Sequence, residues 1–182
     1  MDEYPYERKP SPMDDLFKAI KAAKPHKSNK LEALLEETDP KELSKNDPES
    51  GYTPITWAAD RGYVHGLVLM LEHKGDPNAR NKYDDSPLYC ALHGKKADAV
   101  KSLLEHKADA LNCGSDTCIP LLYAVQHCSA PIVEMLLEAG LDPDIMHEKL
   151  TPRQYAANSL KHYPTERRWM DMAAAFEIYP AK

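Results

Sequence analysis

Glycine is scarce in this sequence, with seven residues in a chain of 182. Loops that bind phosphate groups need several closely spaced glycines, so a nucleotide site of that kind is hard to build here. The sequence also lacks the His-Glu-x-x-His motif of zinc proteases and the Gly-x-Ser-x-Gly motif of serine hydrolases. These absences predict a protein that is not an enzyme.

Long apolar runs and a basic surface are lacking as well. No uninterrupted apolar segment approaches the roughly 20 residues that a membrane span needs. Residues 1–8 are acidic and have no apolar core, unlike a secretory signal peptide. The formal net charge of −6 is unfavourable for general nucleic-acid binding, which requires a basic face. We expect a monomer in the cytoplasm, or in a host cytosol if the chain is a bacterial effector.

Four cysteines make no disulfide framework in a chain of this length, and none of them forms a Cys-x-x-Cys pair. Cys113, Cys118, His127 and Cys128 stand close together in the sequence, and a metal-dependent or catalytic role for this group is an alternative hypothesis. Zinc ligands usually pair at a separation of about two to four residues, which this spacing does not match. We favour reduced thiols, and we predict no metal and no cofactor.

One short pattern recurs along the chain at a nearly constant spacing. Proline follows serine, threonine or isoleucine at Pro54, Pro87, Pro120 and Pro152, which are 33, 33 and 32 residues apart. An apolar triplet on a predicted second helix keeps the same period. Two features that share one period indicate a repeat array rather than a single globular core. The triplets are Leu67/Met70/Leu71, Val100/Leu103/Leu104 and Val133/Leu136/Leu137.

These units resemble ankyrin repeats, in which a Thr-Pro-Leu-His-x-Ala helix start precedes a Leu-Leu-x-x-Gly-Ala-Asp helix end. Residues 53–58 read Thr-Pro-Ile-Thr-Trp-Ala, residues 86–91 read Ser-Pro-Leu-Tyr-Cys-Ala, and residues 104–109 read Leu-Glu-His-Lys-Ala-Asp. The resemblance covers about residues 15–178. It implies an all-α, ankyrin-type solenoid of about five helix-turn-helix repeats joined by β-hairpin-like loops, with divergent N- and C-terminal capping repeats.

The expected organisation is a flexible lead-in, residues 1–10, followed by a single repeat domain, residues 11–182. The lead-in is rich in proline and charge, and it could carry a docking motif. A last helix, from about Thr165 to Ile178, should cap the stack by burying Trp169, Met172, Ala173 and Phe176. The predicted repeats are residues 11–48, 49–81, 82–114, 115–146 and 147–179.

The sequence departs from the ankyrin pattern at several glycine and histidine positions. The glycine at the end of the second helix is replaced by Lys74 and Lys107. A left-handed lysine there costs about 1 kcal/mol relative to glycine. Asp84 and Thr117 occupy hairpin tips where glycine is usual. The hydrogen bond of the usual histidine must be lost or replaced, because that position holds Thr56, Tyr89, Leu122 and Gln154.

The resemblance implies that the chain binds another protein. Ankyrin-like stacks typically bind through hairpin tips and exposed first-helix positions, which line one concave face. Tyr52 and Tyr83 are the expected anchors, because tyrosine combines apolar area with a polar tip. The predicted partner-binding residues are Glu49, Tyr52, Asp60, Arg61, Lys82, Tyr83, Asp85, His93, Ser115, Asp116, Gln126, His127, Glu148, Lys149 and Asn158.

A basic stripe near the start of the chain offers another alternative. Lys18, Lys21, Lys24, Lys27 and Lys30 stand three residues apart, which could favour an acidic partner or a membrane surface. Proline interrupts the stripe before it is complete. We therefore favour a solvated outer face of the first repeat.

Overall fold

The computed structural model describes residues 15–19, 29–112, 119–146 and 149–179. Most of these residues are helical and none of them lies in a β-strand, although Leu150 forms an isolated bridge. The predicted all-α fold is therefore confirmed. The helices are α1 (residues 15–19), α2 (Asn29–Glu36), a 3-10 helix (Pro40–Ser44), α3 (Pro54–Arg61), α4 (Val64–Glu72), α5 (Pro87–His93), α6 (Ala97–Glu105), α7 (Pro120–His127), α8 (Ala130–Glu138), α9 (Pro152–His162) and α10 (Arg167–Ile178).

The first helix of each regular repeat begins at the predicted proline. Proline has no N–H group, and in the first turn of a helix that group would have no intrahelical partner. At three of these starts the preceding hydroxyl side chain accepts a hydrogen bond from a backbone N–H three residues later. At the remaining start, Pro120, the preceding residue is Ile119, whose side chain cannot accept a hydrogen bond. The capping residues are Thr53, Ser86 and Thr151.

Two of the four histidine replacements restore a hydrogen bond at the helix start. The Thr56 hydroxyl accepts from the backbone N–H of Thr53 at 2.8 Å, and Gln154 Oε1 accepts from that of Thr151 at 3.1 Å. In both cases the cap hydroxyl accepts from the replacing residue in return, which forms a capping box. Leu122, by contrast, offers no polar group at this position.

The helices pack in two layers. Helices α3, α5, α7 and α9 lie side by side in one layer, and α2, α4, α6, α8 and α10 form the other. The apolar triplets of the second helices lie between neighbouring repeats and, apart from the half-buried Leu104, are buried. One hydrophobic core runs along the stack as a result, as the repeat pattern predicts.

Four non-glycine residues adopt the left-handed conformation in the part of the chain that the structure describes. Three of them, Lys74 (φ 64°), Lys107 (φ 62°) and Asp84 (φ 68°), occupy positions where the repeat pattern usually has glycine. Thr117 lies outside the described residues. The left-handed conformation of Lys95 (φ 56°) was not expected, because the preceding residue is Gly94 and glycine adopts that conformation most readily.

The last two helices close the stack much as expected. Helix α10 starts at Arg167 and buries Trp169, Met172 and Phe176. The prediction for Ala173 is wrong in detail: it is half-buried, and Ala175 is buried instead. Position 175 lies three residues from 172 and so shares its helical face.

At the start of the described chain, Lys18 is exposed on α1, whereas Leu16 is fully buried. Lys21, Lys24 and Lys27 of the predicted stripe lie outside the described residues, as do the lead-in and the helix start at Ser11. Within the described ranges, every helix is too short or too polar to cross a bilayer.

Candidate protein-interaction surface

The two-layer packing leaves one side of the first helices open. We call this side, formed by the exposed positions of α3, α5, α7 and α9 and by the loops before them, the first-helix face. Tyr52, Asp60, Asp85 and Gln126 are half-exposed. Ser115, Asp116 and Glu148 lie outside the described residues. The remaining predicted partner-binding residues are exposed, namely Glu49, Arg61, Lys82, Tyr83, His93, His127, Lys149 and Asn158.

A pocket of about 370 Å³ lies on this face between the second and third repeats. Five of the predicted residues line it, and they come from two neighbouring loops and the ends of α3 and α5. The structure therefore brings together five predicted residues that are distant in the chain. The lining residues are Tyr52, Asp60, Tyr83, Asp85, Tyr89, Cys90 and His93.

Contacts between two successive loops form one wall of the pocket. The rings of Tyr52 and Tyr83 meet edge to face, with centroids 6.2 Å apart and planes at 66°. The backbone N–H of Lys82 donates to the carbonyl of Gly51 at 2.9 Å. Gly51 has φ 74°, and a Cβ atom there would collide with the Lys82 side chain. Glycine at position 51 thus lets the two loops approach each other.

A close approach of α5 to α3 forms the opposite wall. An ideal Cβ atom at Gly94 would lie 2.3 Å from the carbonyl oxygen of Asp60, so only glycine fits there without a backbone shift. This approach places His93 Nδ1 3.8 Å from Asp60 Oδ1. Both side chains therefore reach the pocket at the ends of their helices.

Carboxylates line the pocket, and two cationic side chains lie beside it. Lys82 Nζ is 5.0 Å from the Tyr83 ring centroid, and Arg61 Nε is 3.8 Å from Asp60 Oδ2. Two of its lining residues are aspartates, and no lysine or arginine is among the described residues that line it. Burial raises the pKa of the Tyr52 hydroxyl, with smaller contributions from Asp60, Cys90, Asp85 and Tyr83. Burial also raises the pKa of the Cys90 thiol far above its usual value. The thiol is therefore neutral and is unsuited to act as a nucleophile.

The aromatic surface continues from Tyr89, which lines the pocket, to Tyr123 on α7. The rings of Tyr89 and Tyr123 lie 5.6 Å apart, and Tyr123 lies 4.7 Å from the ring of His127. Both tyrosines are partly exposed, and sequence reasoning did not include them in the site. They could have been found from helical spacing, because each stands four residues before a predicted site histidine.

Several other predicted residues do not line the pocket. Gln126 lies on α7, where its backbone carbonyl accepts a hydrogen bond from Arg168 Nη2 at 2.7 Å. Asn158 lies on α9, and Glu49 lies in the loop before α3. Five of the predicted residues thus line a pocket in the middle of the array. The other described ones are scattered on either side of it.

Only His127 and Cys128 of the cysteine group lie in the part of the chain that the structure describes. No group of three or more His, Cys, Asp or Glu residues there could hold a metal ion. Cys113 and Cys118 lie outside the described residues. Cys128 is free and buried, its Sγ donates to the carbonyl of Leu92 at 3.4 Å, and burial raises its pKa to about 11.

A comparison with protein families agrees with this architecture. The family model described as ankyrin repeats (3 copies) matches residues 16–112 and 65–148. The chain belongs to the ankyrin repeat family. Ankyrin repeats are generally modules for protein–protein interaction and are typically not enzymes.

Curated relatives share the ankyrin region. Ankyrin repeat protein FPV115 of fowlpox virus is 28% identical over 129 residues, which cover 69% of this chain and 22% of the viral protein. Zebrafish (Danio rerio) ankyrin repeat and SOCS box protein 11 is 33% identical over 112 residues, or 60% of this chain and 38% of that protein. Human transient receptor potential cation channel subfamily A member 1 is 27% identical over 94 residues, or 51% and 8%. The chain thus spans less than half the length of each.

Proposed function

We propose that this ankyrin domain is a non-enzymatic interaction module that binds a partner protein through its first-helix face, the expected concave side of the stack. A row of partly exposed tyrosines across three consecutive repeats carries the proposal. Tyr52 and Tyr83 contact each other on one side of the pocket. Tyr89 and Tyr123 continue the row on the other side.

Tyrosines in such a row are well suited to binding a protein. A tyrosine ring supplies apolar contact area, it loses little conformational entropy on binding, and its hydroxyl can remain hydrated. Three of these rings, those of Tyr52, Tyr89 and Tyr123, pack against the hydrophobic core. The face is therefore pre-organised, which reduces the entropic cost of association. Such a module could serve as an adaptor, an inhibitor of its partner or the recognition part of an effector.

The experiment compares partner binding by the wild-type chain and the Tyr52→Ala/Tyr83→Ala variant. Affinity purification identifies the partner, and calorimetry with the purified partner then measures the affinity. We expect the double variant to bind much more weakly, while its melting temperature falls by no more than a few degrees.

A matched control alters the opposite layer. Lys101 lies on α6 and Glu134 on α8, both away from the first-helix face. The Lys101→Ala/Glu134→Ala variant should keep the affinity of the wild-type chain. Loss of binding in this control only, or loss of folding in the tyrosine variant, would contradict the assignment of the face.

We further propose that the domain acts as a monomer in the cytoplasm. Its described cysteines, Cys90 and Cys128, are free thiols, which suits a reducing compartment. Light scattering coupled to size-exclusion chromatography should give the mass of one chain, 20.5 kDa. A dimer mass would contradict the proposed oligomeric state.

A further inference from the structure

We propose that the pocket between the second and third repeats admits one positively charged side chain, an arginine or a lysine, from the partner protein. This inference rests on the function proposed above and specifies the chemistry of the contact. Three features support it: the aromatic walls, the two carboxylates and the poor fit of other occupants.

The walls of the pocket are aromatic. Tyr52, Tyr83 and Tyr89 all line it. A guanidinium or ammonium group within about 6 Å of a tyrosine ring face is attracted by the negative face of the ring. One of these rings already makes such a contact within the chain, because Lys82 Nζ lies 5.0 Å from the Tyr83 ring centroid. A cation inside the pocket would meet the other rings in the same way.

Two carboxylates can receive the hydrogen bonds of the incoming cation. Asp60 lies 3.8 Å from both His93 Nδ1 and Arg61 Nε, and both separations exceed hydrogen-bond distance. The Arg61 guanidinium also lies against Trp57, 5.6 Å from its ring centroid. Asp85 Oδ2 accepts from Asn81 Nδ2 at 3.2 Å. Because an ionised carboxylate can accept about four hydrogen bonds, both aspartates keep capacity for a ligand.

Other occupants fit the pocket less well. An anion would be repelled by the two aspartates. A neutral apolar side chain would remove water from both carboxylates without supplying hydrogen bonds, which is costly. A metal ion lacks a ligand set, since the described residues contain no group of three suitable side chains. The raised pKa of Tyr52, due first to burial and then to Asp60, is consistent with a negative potential in the pocket.

The test uses a blocked pentapeptide with arginine at its centre, flanked by serine and glycine. Its counterparts carry lysine, or the neutral isostere citrulline, at the central position. Binding is followed by the amide chemical shifts of the full-length chain in two-dimensional NMR. We expect saturable shifts around the pocket with the arginine and lysine peptides, and binding of the citrulline peptide that is weaker by about tenfold or more.

Two variants test whether binding of the arginine peptide depends on carboxylates inside the pocket or on a carboxylate outside it. Asp60→Asn/Asp85→Asn should weaken binding of the arginine peptide by about tenfold or more. Asp84→Asn is the matched control, because Asp84 is exposed on the same loop and does not line the pocket. This control should change the affinity by less than about twofold. Equal binding of arginine and citrulline peptides, or shifts that do not saturate, would overturn the inference.

A further comparison distinguishes this inference from the proposed function. Suppose that the identified partner loses affinity for Tyr52→Ala/Tyr83→Ala but binds Asp60→Asn/Asp85→Asn as tightly as wild type. The first-helix face then binds the partner, and the cation hypothesis is wrong. If both variants lose affinity and the Asp84→Asn control does not, both proposals are supported.

Discussion

The ring of Tyr52 meets the ring of Tyr83 edge to face, 6.2 Å between centroids, although the two residues belong to successive repeats. Tyr83 is 56% exposed, and its hydroxyl donates to the carbonyl of Ser50 at 3.4 Å. The pair therefore joins two loops at the surface of the molecule, and of the two rings only that of Tyr52 packs against the hydrophobic core. A contact of this kind can be altered with little effect on the fold.

The first prediction is an energetic coupling between these two tyrosines. Aromatic pairs contribute about 0.5–1.5 kcal/mol beyond the area they bury, and partial exposure favours the lower value. A double-mutant cycle of Tyr52→Ala and Tyr83→Ala, measured by urea unfolding, should therefore give a coupling of about 0.5 kcal/mol. A control cycle that pairs Tyr52→Ala with Tyr163→Ala, in the last repeat, should give none. Equal couplings in the two cycles would contradict the contact.

The second prediction concerns the left-handed lysines. Lys107 has φ 62° and is followed by the hydrogen bond from the Ala108 N–H to the Leu103 carbonyl, 2.9 Å long. Glycine adopts this conformation without strain, so Lys107→Gly should raise the free energy of unfolding by about 1 kcal/mol.

A neighbouring lysine supplies the control for that measurement. Lys101 lies within α6, and Lys101→Gly should lower the free energy of unfolding by about 1 kcal/mol, because glycine is unfavourable inside a helix. Both values come from urea unfolding at constant pH. A destabilised Lys107→Gly variant would show that the lysine side chain contributes more than the strain costs.

Much of the fold could be predicted because the repeat pattern is local and periodic. A proline in the first turn and an apolar triplet on the second helix define each unit, and both depend on helical geometry alone. Lys95 was missed for a reason that is not local. Gly94 packs against the carbonyl of Asp60 and keeps a right-handed conformation. Lys95, the next residue, adopts the left-handed conformation instead.

The site was only partly predictable. Tyr52, Asp60, Tyr83, Asp85 and His93, which line the pocket, could be predicted as surface residues because the architecture exposes their positions in the repeat. Tyr89 was considered only as a substitute for a capping histidine, and its exposure depends on how far apart α5 and α7 lie. Such distances between helices depend on side-chain packing along the whole stack. A single sequence does not reveal them.

The third prediction concerns the reactivity and titration of Cys128. Burial raises the pKa of this thiol from 9.0 to about 11, so at pH 8 the thiolate fraction falls about a hundredfold. In a variant with Cys90, Cys113 and Cys118 changed to serine, iodoacetamide should modify the folded chain far more slowly than the chain unfolded in urea. Rapid modification of the folded chain would contradict the burial.

The same pKa shift gives a pH dependence with a definite sign. Above about pH 9 the thiol ionises in the unfolded chain but remains protonated in the folded chain, so ionisation favours unfolding. The stabilising contribution of the Cys128 thiol to the free energy of unfolding is therefore fully present below pH 9 and is lost as the pH rises towards 11. The free energy of unfolding should decrease over this range more steeply for the wild-type chain than for Cys128→Ala. Identical slopes would contradict the shift.

The fourth prediction concerns Arg153, which holds the end of the closing helix. Its guanidinium donates to Asp144 Oδ1 at 2.9 Å and to the carbonyls of Phe176 at 2.6 Å and Tyr179 at 2.8 Å. The last carbonyls of a helix lack intrahelical hydrogen-bond donors and lie at the negative end of the helix dipole. A guanidinium there supplies both the hydrogen bonds and a favourable positive charge.

Lysine cannot reproduce this fork of hydrogen bonds, because its ammonium is a single point of charge. Arg153→Lys should therefore lower the free energy of unfolding by about 1–2 kcal/mol and speed hydrogen exchange in α10. Arg167→Lys is the matched control, since the Arg167 side chain is 91% exposed and only pairs with Asp171 at 3.5 Å. That control should change stability by less than about 0.5 kcal/mol. If both changes had equal effects, charge rather than the directed hydrogen bonds of Arg153 would hold the last helix in place.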